Sequence, residues 1–361
     1  MDHHPHVPWD ARWISLLACP ACHGTLSAAD GPELRCASCG RAYPVISRVP
    51  AFLIDPTAAE LKTLNLYGDI WDAYNQEKRR SRYHAPAASH LELLRLAAGC
   101  DIAQGEAGID AGCGAGHTTL AMARQHAGIR FIGIDLAGGI RRTAAQAQEI
   151  PNLRFVQGNL LSPPLAKRAF DFVYSFGVLH HTRDPRGAFL ALAERLLPGG
   201  RITIFVYKDF SDLPLKKTLL APVTLIRRLS TRLPAPVLRV LARCNAPAVF
   251  LTLTLPARLL RAIGRPRLAR HIPYGTFPGI RGIAASLEDR FGAPYEHRFR
   301  IADLEGWARE AGLMEWRAVD CLPWGFSGLV LSGLVSRAHV TQGIPKNGNR
   351  PEETEKIGKL G

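Results

Sequence analysis

At 361 residues, 47% apolar and 21% charged, the chain has the length and composition of one large packed domain with additions, which excludes a fibrous or wholly disordered protein. Its net charge of +14 is unevenly placed: from Lys208 to Arg281 fourteen Lys and Arg stand against two acids, Asp209 and Asp212, leaving the remainder near neutral. Such a concentration points to an acidic partner or surface. No run of 18 apolar residues occurs and the first ten residues lack a charged segment leading into an apolar one. The expectation is therefore a cytoplasmic protein without a membrane-crossing helix.

Residues 11–55 read as a small separate unit. Cys19-Pro20-Ala21-Cys22 and Cys36-Ala37-Ser38-Cys39 are two C-x-x-C pairs thirteen residues apart. Each knuckle can turn two thiolates toward one ion, and four thiolates close a tetrahedral zinc site that holds structure. The other cysteines (Cys100, Cys113, Cys244, Cys321) are scattered, which argues against a disulfide framework. Leu34 and the run 43–46 read as ribbon strands. The flanks Leu16-Leu17-Ala18-Cys19-Pro20-Ala21-Cys22-His23-Gly24 and Cys39-Gly40-Arg41-Ala42-Tyr43-Pro44-Val45 resemble the small zinc-ribbon proteins that activate methyltransferases. In that family a Gly-Ile-Pro usually follows; here Arg48-Val49-Pro50 stands in its place.

In the linker 56–100, apolar spacing predicts helices over 58–66 and 90–98. The aromatic stretch Tyr67-Gly68-Asp69-Ile70-Trp71-Asp72-Ala73-Tyr74 and the basic run 78–82 lie between them. This stretch reads either as a cap over a ligand or as a packing linker. From residue 102 strands and helices alternate, the pattern of a parallel sheet with crossover helices. Strands are predicted at 107–110, 129–135, 153–157, 170–176 and 201–207, and helices at 118–126, 138–149 and 185–197, with Leu197-Pro198-Gly199-Gly200 as the turn that ends the last. The core 101–207 is followed by a basic insertion at 208–281, read as a helical cap with one apolar and one basic face. The fold resumes over 282–337 with a helix at 301–311, closed by Gly312, and a strand pair at 315–321 and 328–337. The tail 338–361 and the opening Asp2-His3-His4-Pro5-His6 read as disordered.

The chemistry gathers at the carboxyl ends of the strands, where α/β sheets bind ligands. Gly108-Ile109-Asp110-Ala111-Gly112-Cys113-Gly114-Ala115-Gly116-His117 runs from a strand end through three alternate glycines into a helix. A dinucleotide fingerprint would want its third glycine at 117, where His117 stands. A carboxylate at Asp110 would repel a pyrophosphate and suits a cationic group. Asp135, nineteen residues past Gly116, ends the next strand, where an acid can accept both ribose hydroxyls.

This loop closely resembles the first motif of class I S-adenosylmethionine-dependent methyltransferases. Phe170-Asp171-Phe172-Val173-Tyr174-Ser175-Phe176-Gly177-Val178-Leu179-His180-His181, followed by Asp184-Pro185, is similar to the fourth-strand motif of their type 11 group. The resemblance implies a doubly wound α/β fold with a seven-stranded, mostly parallel Rossmann-like sheet, an antiparallel final hairpin and S-adenosylmethionine as cofactor. It implies cofactor contacts from Asp110, Gly112, Cys113, Gly114, Gly116, Asp135, Leu136 and Phe176. Asn159 and Leu160 stand where the family usually has an aspartate for the adenine amine, and the amide oxygen of Asn159 can still accept that bond. His180 or His181 could serve as a base, or both could pack and shape the pocket. Tyr295 and His297, in a Pro-Tyr-x-x-His-like segment, are substrate-side candidates. The expected acceptor is a small or lipid-like molecule, with the basic cap meeting an anionic surface on the inner membrane face. An RNA methyltransferase and a non-catalytic cofactor-binding regulator are the alternatives.

Overall fold

The computed structural model describes residues 9–29, 31–77, 87–101, 103–269, 272, 274–275, 279–321 and 328–336. The opening histidines, the basic run 78–82 and the tail 338–361 lie outside them. Strands in chain order are β1 (Leu26–Ala28), β2 (Glu33–Cys36), β3 (Ala42–Ile46), β4 (Val49–Phe52), β5 (Ala107–Ala111), β6 (Arg130–Asp135), β7 (Leu153–Gly158), β8 (Phe170–Phe176), β9 (Leu196–Tyr207), β10 (Leu313–Asp320) and β11 (Gly328–Val335). They form one sheet in the order β1-β2-β3-β4-β7-β6-β5-β8-β9-β11-β10.

The expected seven strands are the stretch from β7 to β10, with parallel neighbours up to β9 and an antiparallel β11 and β10 at the end. The sheet has eleven strands rather than seven because the ribbon continues it. β4 pairs in parallel with β7, Ala51 opposite Gln157 and Phe52 opposite Gly158. All four residues of β4 are buried. An unpaired β7 edge would leave backbone donors and acceptors exposed, and the ribbon satisfies them. The seam continues where Ala166 N donates to Leu16 O at 2.9 Å and Ser162 Oγ to Pro20 O at 2.7 Å.

Alternation along the central strands sorts side chains to two faces. Ile132, Ile134 and Val173 share one core with Trp13, Leu17 and Phe52 of the ribbon and with Trp307 of the Ile301–Glu310 helix. Phe131, Phe172 and Tyr174 face the other core, under the Ala87–Ala98, His117–Gln125 and Ile140–Gln146 helices. Asp184 caps the Pro185–Ala193 helix by accepting from Gly187 N at 2.9 Å, with proline at its first position.

Several boundaries differ from expectation. The Pro185–Ala193 helix ends four residues early, and the predicted turn at 197–200 lies inside β9 as an irregularity in its pairing with β8. The first linker helix runs to Glu77, well past residue 66. The insertion is helical as expected: Pro214–Ser230, then Ala235–Val249 continuing through a π-turn at Phe250–Thr254 into Leu255–Ala262. Pro247 and Pro256 each lack an amide donor in this stretch, and the ladder shifts register between them. The continuous helix Ala235–Ala262 is long and apolar enough to cross a membrane by length and composition alone, although it holds no unbroken run of 18 apolar residues.

Candidate functional site

The glycine loop leaves β5 and is stitched to the end of β6. Gly112 N and Cys113 N both donate to Ile134 O, at 2.8 and 3.0 Å. Gly112 and Gly114 have φ of 78° and 58°, the left-handed region that favours glycine. A Cβ on Gly112 would stand 2.3 Å from Val178, and one on Gly114 would stand 2.6 Å from the Trp71 ring. The loop therefore brings bare backbone to the surface of a cradle.

Asp135 locks that cradle. Gly114 N donates to its Oδ2 and Ala137 N to its Oδ1, each at 2.8 Å. Burial raises its pKa to about 6, against the pull of the two amide donors. Each oxygen keeps a lone pair for a further donor, so a ribose diol fits. Asp110 lies deeper, its Oδ2 accepting from Thr119 Oγ1 at 2.7 Å and Tyr174 OH at 2.8 Å. Burial raises its pKa to about 7, opposed by those hydroxyls and assisted by the Asp135 charge. Two carboxylates whose charges oppose each other favour a cationic ligand, which would relieve both. The donor set thus fits a nucleoside with a sulfonium arm.

Leu136 and Cys113 are half-buried beside the loop, and Leu160 is buried. Asn159 donates from Nδ2 to Glu60 Oε1 at 2.5 Å and accepts from Leu161 N at 3.0 Å, the ordinary bond of a turn asparagine. Its oxygen keeps one lone pair for an adenine amine. Phe176 is stacked between His90, 4.0 Å away, and Phe205, 4.4 Å away. A Cβ on the following Gly177 would meet nothing within 4 Å, so the chain opens into free space where β8 ends.

The structure gathers the two histidines read as a possible base with the two substrate-side candidates, Tyr295 and His297. His180 is fully buried, stacked at 3.7 Å on Tyr207 and 4.3 Å from His181. His297 N donates to His180 O at 2.9 Å, and His181 Nδ1 lies 2.8 Å from Tyr295 O. Neither ring nitrogen of His180 has a protein partner. Burial holds its pKa well below the usual range, and the neighbouring His181, Arg298 and His297 push it further down. A neutral imidazole with two free nitrogens is a hydrogen-bonding surface for an acceptor rather than a strong base.

Two residues with defined places here were not identified one by one from sequence. Tyr67 and Trp71 lie one turn apart on the Ala58–Glu77 helix. Trp71 stands against Gly114 and Gly139, while Tyr67 OH donates to Asp289 Oδ1 at 2.7 Å and its ring lies 5.9 Å from His181. One helix thus touches both the cradle and the histidine cluster. The aromatic stretch was the signal, and its four-residue spacing the part that could have separated these two.

In the ribbon, the sulfur atoms of Cys19, Cys22, Cys36 and Cys39 all lie within 4.8 Å of one another. Cys19–Cys39 is 3.7 Å and Cys22–Cys36 is 3.5 Å. Zinc–sulfur bonds of about 2.3 Å require tetrahedral sulfur edges of about 3.8 Å, so the cluster has zinc dimensions. Tyr43 OH, 3.0 Å from Cys19 Sγ, supports a ligand from outside the cluster.

Residues 109–204 match the methyltransferase domain family, and residues 10–46 match the Trm112p-like protein family. The match, the sheet order and the cradle define a class I S-adenosylmethionine-dependent methyltransferase domain. It is joined in the same chain to a Trm112p-like ribbon with a structural zinc site. An uncharacterized protein of Synechococcus is 36% identical over 108 residues, 28% of this chain and 25% of that protein. Trans-aconitate 2-methyltransferase of Deinococcus radiodurans is 33% identical over 98 residues, 27% of this chain and 36% of that enzyme. The aligned segments thus span about a quarter and a third of these two relatives. Among solved structures, a Haloferax volcanii complex of the Trm112 methyltransferase activator with a methyltransferase aligns at 16% identity and TM-score 0.43. It covers 75% of this chain and 98% of that one.

Proposed function

We propose that this protein transfers a methyl group from S-adenosylmethionine to a small or lipid-like molecule. The observation that carries this is the sequence of environments along one path: the Asp135-locked cradle, the open space at Gly177, then the buried His180 with its two unpartnered nitrogens. When bound, the cofactor supplies an electrophilic methyl on a neutral leaving group. Positioning and exclusion of water are then what remains for the protein to provide. Phe176, Phe205, Tyr207 and Tyr67 surround the path with rings, and His180 offers an acceptor hydroxyl or amine a hydrogen-bond-accepting nitrogen. The Asp110–Asp135 pair favours the cationic donor over its neutral product, which assists turnover.

A small acceptor is favoured over RNA because, among the described residues, the exposed large apolar side chains are Leu, Ile, Val and Met, with no aromatic platform for bases. The same reading assigns 11–55 to the ribbon, 56–100 to the cofactor cap, 101–207 to cofactor binding, 208–281 to an acceptor-side cap and 282–337 to completion of the sheet. Calorimetry with S-adenosylmethionine, followed by transfer of a labelled methyl group to a whole-cell small-molecule and lipid extract, tests it. Absence of cofactor binding, or label transferred to RNA alone, would overturn it.

A further inference from the structure

The Ala235–Ala262 helix is built the wrong way round for a helix whose only partner is its own protein. Its buried positions are Leu238, Ala242, Ala246, Thr254 and Ala257, four of them small; Ala242 and Ala246 pack with Ile283 and Leu287 of the Ile280–Gly292 helix, and Leu238 with Leu66 and Ala293. Leu238 apart, a stripe of large apolar residues is exposed: Val237, Leu241, Leu251, Leu255, Leu259 and the C-cap Ile263 recur at three- to four-residue steps or multiples of them, and lie on the solvent side. Ile263 is 70% exposed and Leu251 60%, and only 22% of the most apolar stretch is buried. The preceding Pro214–Ser230 helix adds Leu225, Ile226 and Leu229, all more than half exposed. Soluble surfaces rarely carry apolar stripes of this length without a partner.

The charge around this stripe says what the partner is. From 213 to 287 the sequence holds thirteen Lys and Arg and no Asp or Glu. Arg228, Arg232, Arg243 and Arg265 are exposed beside the apolar positions. Two copies of this face would repel each other, so a second copy of the chain is a poor occupant. An apolar stripe whose charged neighbours along the chain are all cations matches a bilayer surface bearing anionic headgroups. The Ile280–Gly292 helix holds the opposite face of the long helix, and Arg239 is tied to Asp69 and Glu288. The helix is thereby kept against its domain, so it lies along a surface instead of crossing it.

We propose that the 214–263 cap is an interfacial docking face that seats the protein on anionic phospholipid. The inference rests on exposure and charge and stands apart from the catalytic reading. The full-length protein is sedimented with vesicles of phosphatidylcholine alone or mixed with phosphatidylglycerol, at low and high salt. Binding is expected to the anionic vesicles and to weaken with salt. The triple variant Leu251→Glu, Leu259→Glu, Ile263→Glu is expected to stay in the supernatant while still binding S-adenosylmethionine, because all three side chains are exposed. Should that variant fail to fold, Arg243→Glu with Arg265→Glu serves instead, with an expected loss of about tenfold or more in vesicle affinity. Wild-type protein that ignores anionic vesicles, variants that sediment like wild type, or a dimer formed through this face without vesicle binding would each overturn the proposal.

Discussion

Asp135→Asn isolates the contribution of one carboxylate to the cradle. In the native chain its two oxygens accept from Gly114 N and Ala137 N, each at 2.8 Å. An asparagine keeps one acceptor and turns an NH2 toward the other amide, so one bond is replaced by two opposed donors. A bond to a charged group contributes about 1.5–3 kcal/mol, so the variant should bind S-adenosylmethionine roughly 10- to 150-fold more weakly. The pH profile adds a second signature. The ionised carboxylate is the form that accepts from the loop, from a ribose diol and beside a sulfonium, and its pKa in the free protein is about 6. Binding should therefore be level well above pH 6 and fall about tenfold per unit as pH drops below it. Asp110, at about 7, adds a second titration that extends the fall upward from pH 7; it should move lower in Asp135→Asn, where the neighbouring charge is gone, and disappear in Asp110→Asn. Titration calorimetry from pH 5 to 8 on wild type and both variants measures this. Wild-type affinity that is flat across that range, or an unweakened Asp135→Asn, would refute the assignment.

Other consequences can be checked by standard means. Gly114→Ala puts a methyl group into the Trp71 ring at a left-handed φ, so cofactor binding should be lost in calorimetry while the circular dichroism spectrum is kept. Both Asp110 and Asp135 have folded-state pKa values raised above 3.8, so each contributes stability that is full below pH 3.8 and lost as pH rises through about 6 and 7. Asp110→Asn should therefore flatten the melting temperature of the cofactor-free protein between pH 5 and 8. Ser47 and Arg48 turn the β3–β4 hairpin at φ of 49° and 70°. Arg48→Gly should raise stability by about 1 kcal/mol in urea unfolding, since an L-residue is disfavoured there by roughly that amount. Cys39→Ser should lower bound zinc measured by atomic absorption and lower the melting temperature.

What the sequence made legible is what short-range chemistry dictates. The glycine loop, Asp135 at its strand end and the paired cysteines each depend on a few adjacent residues, and the structure assembles each as its own spacing implies. β8 was legible to its bounds because five strand-forming residues within seven, Phe170, Phe172, Val173, Tyr174 and Phe176, need no distant partner to declare themselves. The missed features depend on what lies opposite. Val49-Pro50-Ala51-Phe52 becomes a strand of the large sheet only because β7 offers an open edge. The start of β9 at Leu196, through Pro198-Gly199-Gly200, is held by Phe170 across the ladder, while local turn chemistry alone argued for a break. The cap helix was read as amphipathic, but periodicity cannot tell which face turns inward when alanines oppose leucines. Packing against the Ile280–Gly292 helix chose the alanines.

The fusion of ribbon and catalytic domain has a mechanical consequence at the cofactor site. The β4 ladder ends with Phe52 opposite Gly158, one residue before Asn159. Asn159 is held by Glu60, at the start of the helix that carries Tyr67 to the histidines and Trp71 to the glycine loop. The four-cysteine ribbon, the Asn159 turn and the helix over the glycine loop are therefore successive links of one short chain path. A ribbon loosened by loss of its thiolates would release the β7 edge and the start of that helix together. Zinc can thus govern cofactor affinity without approaching the reacting atoms. In Cys39→Ser the loss of S-adenosylmethionine affinity should track the loss of zinc, while Gly114→Ala should abolish binding with zinc content intact. The two variants therefore separate support of the site from the site itself.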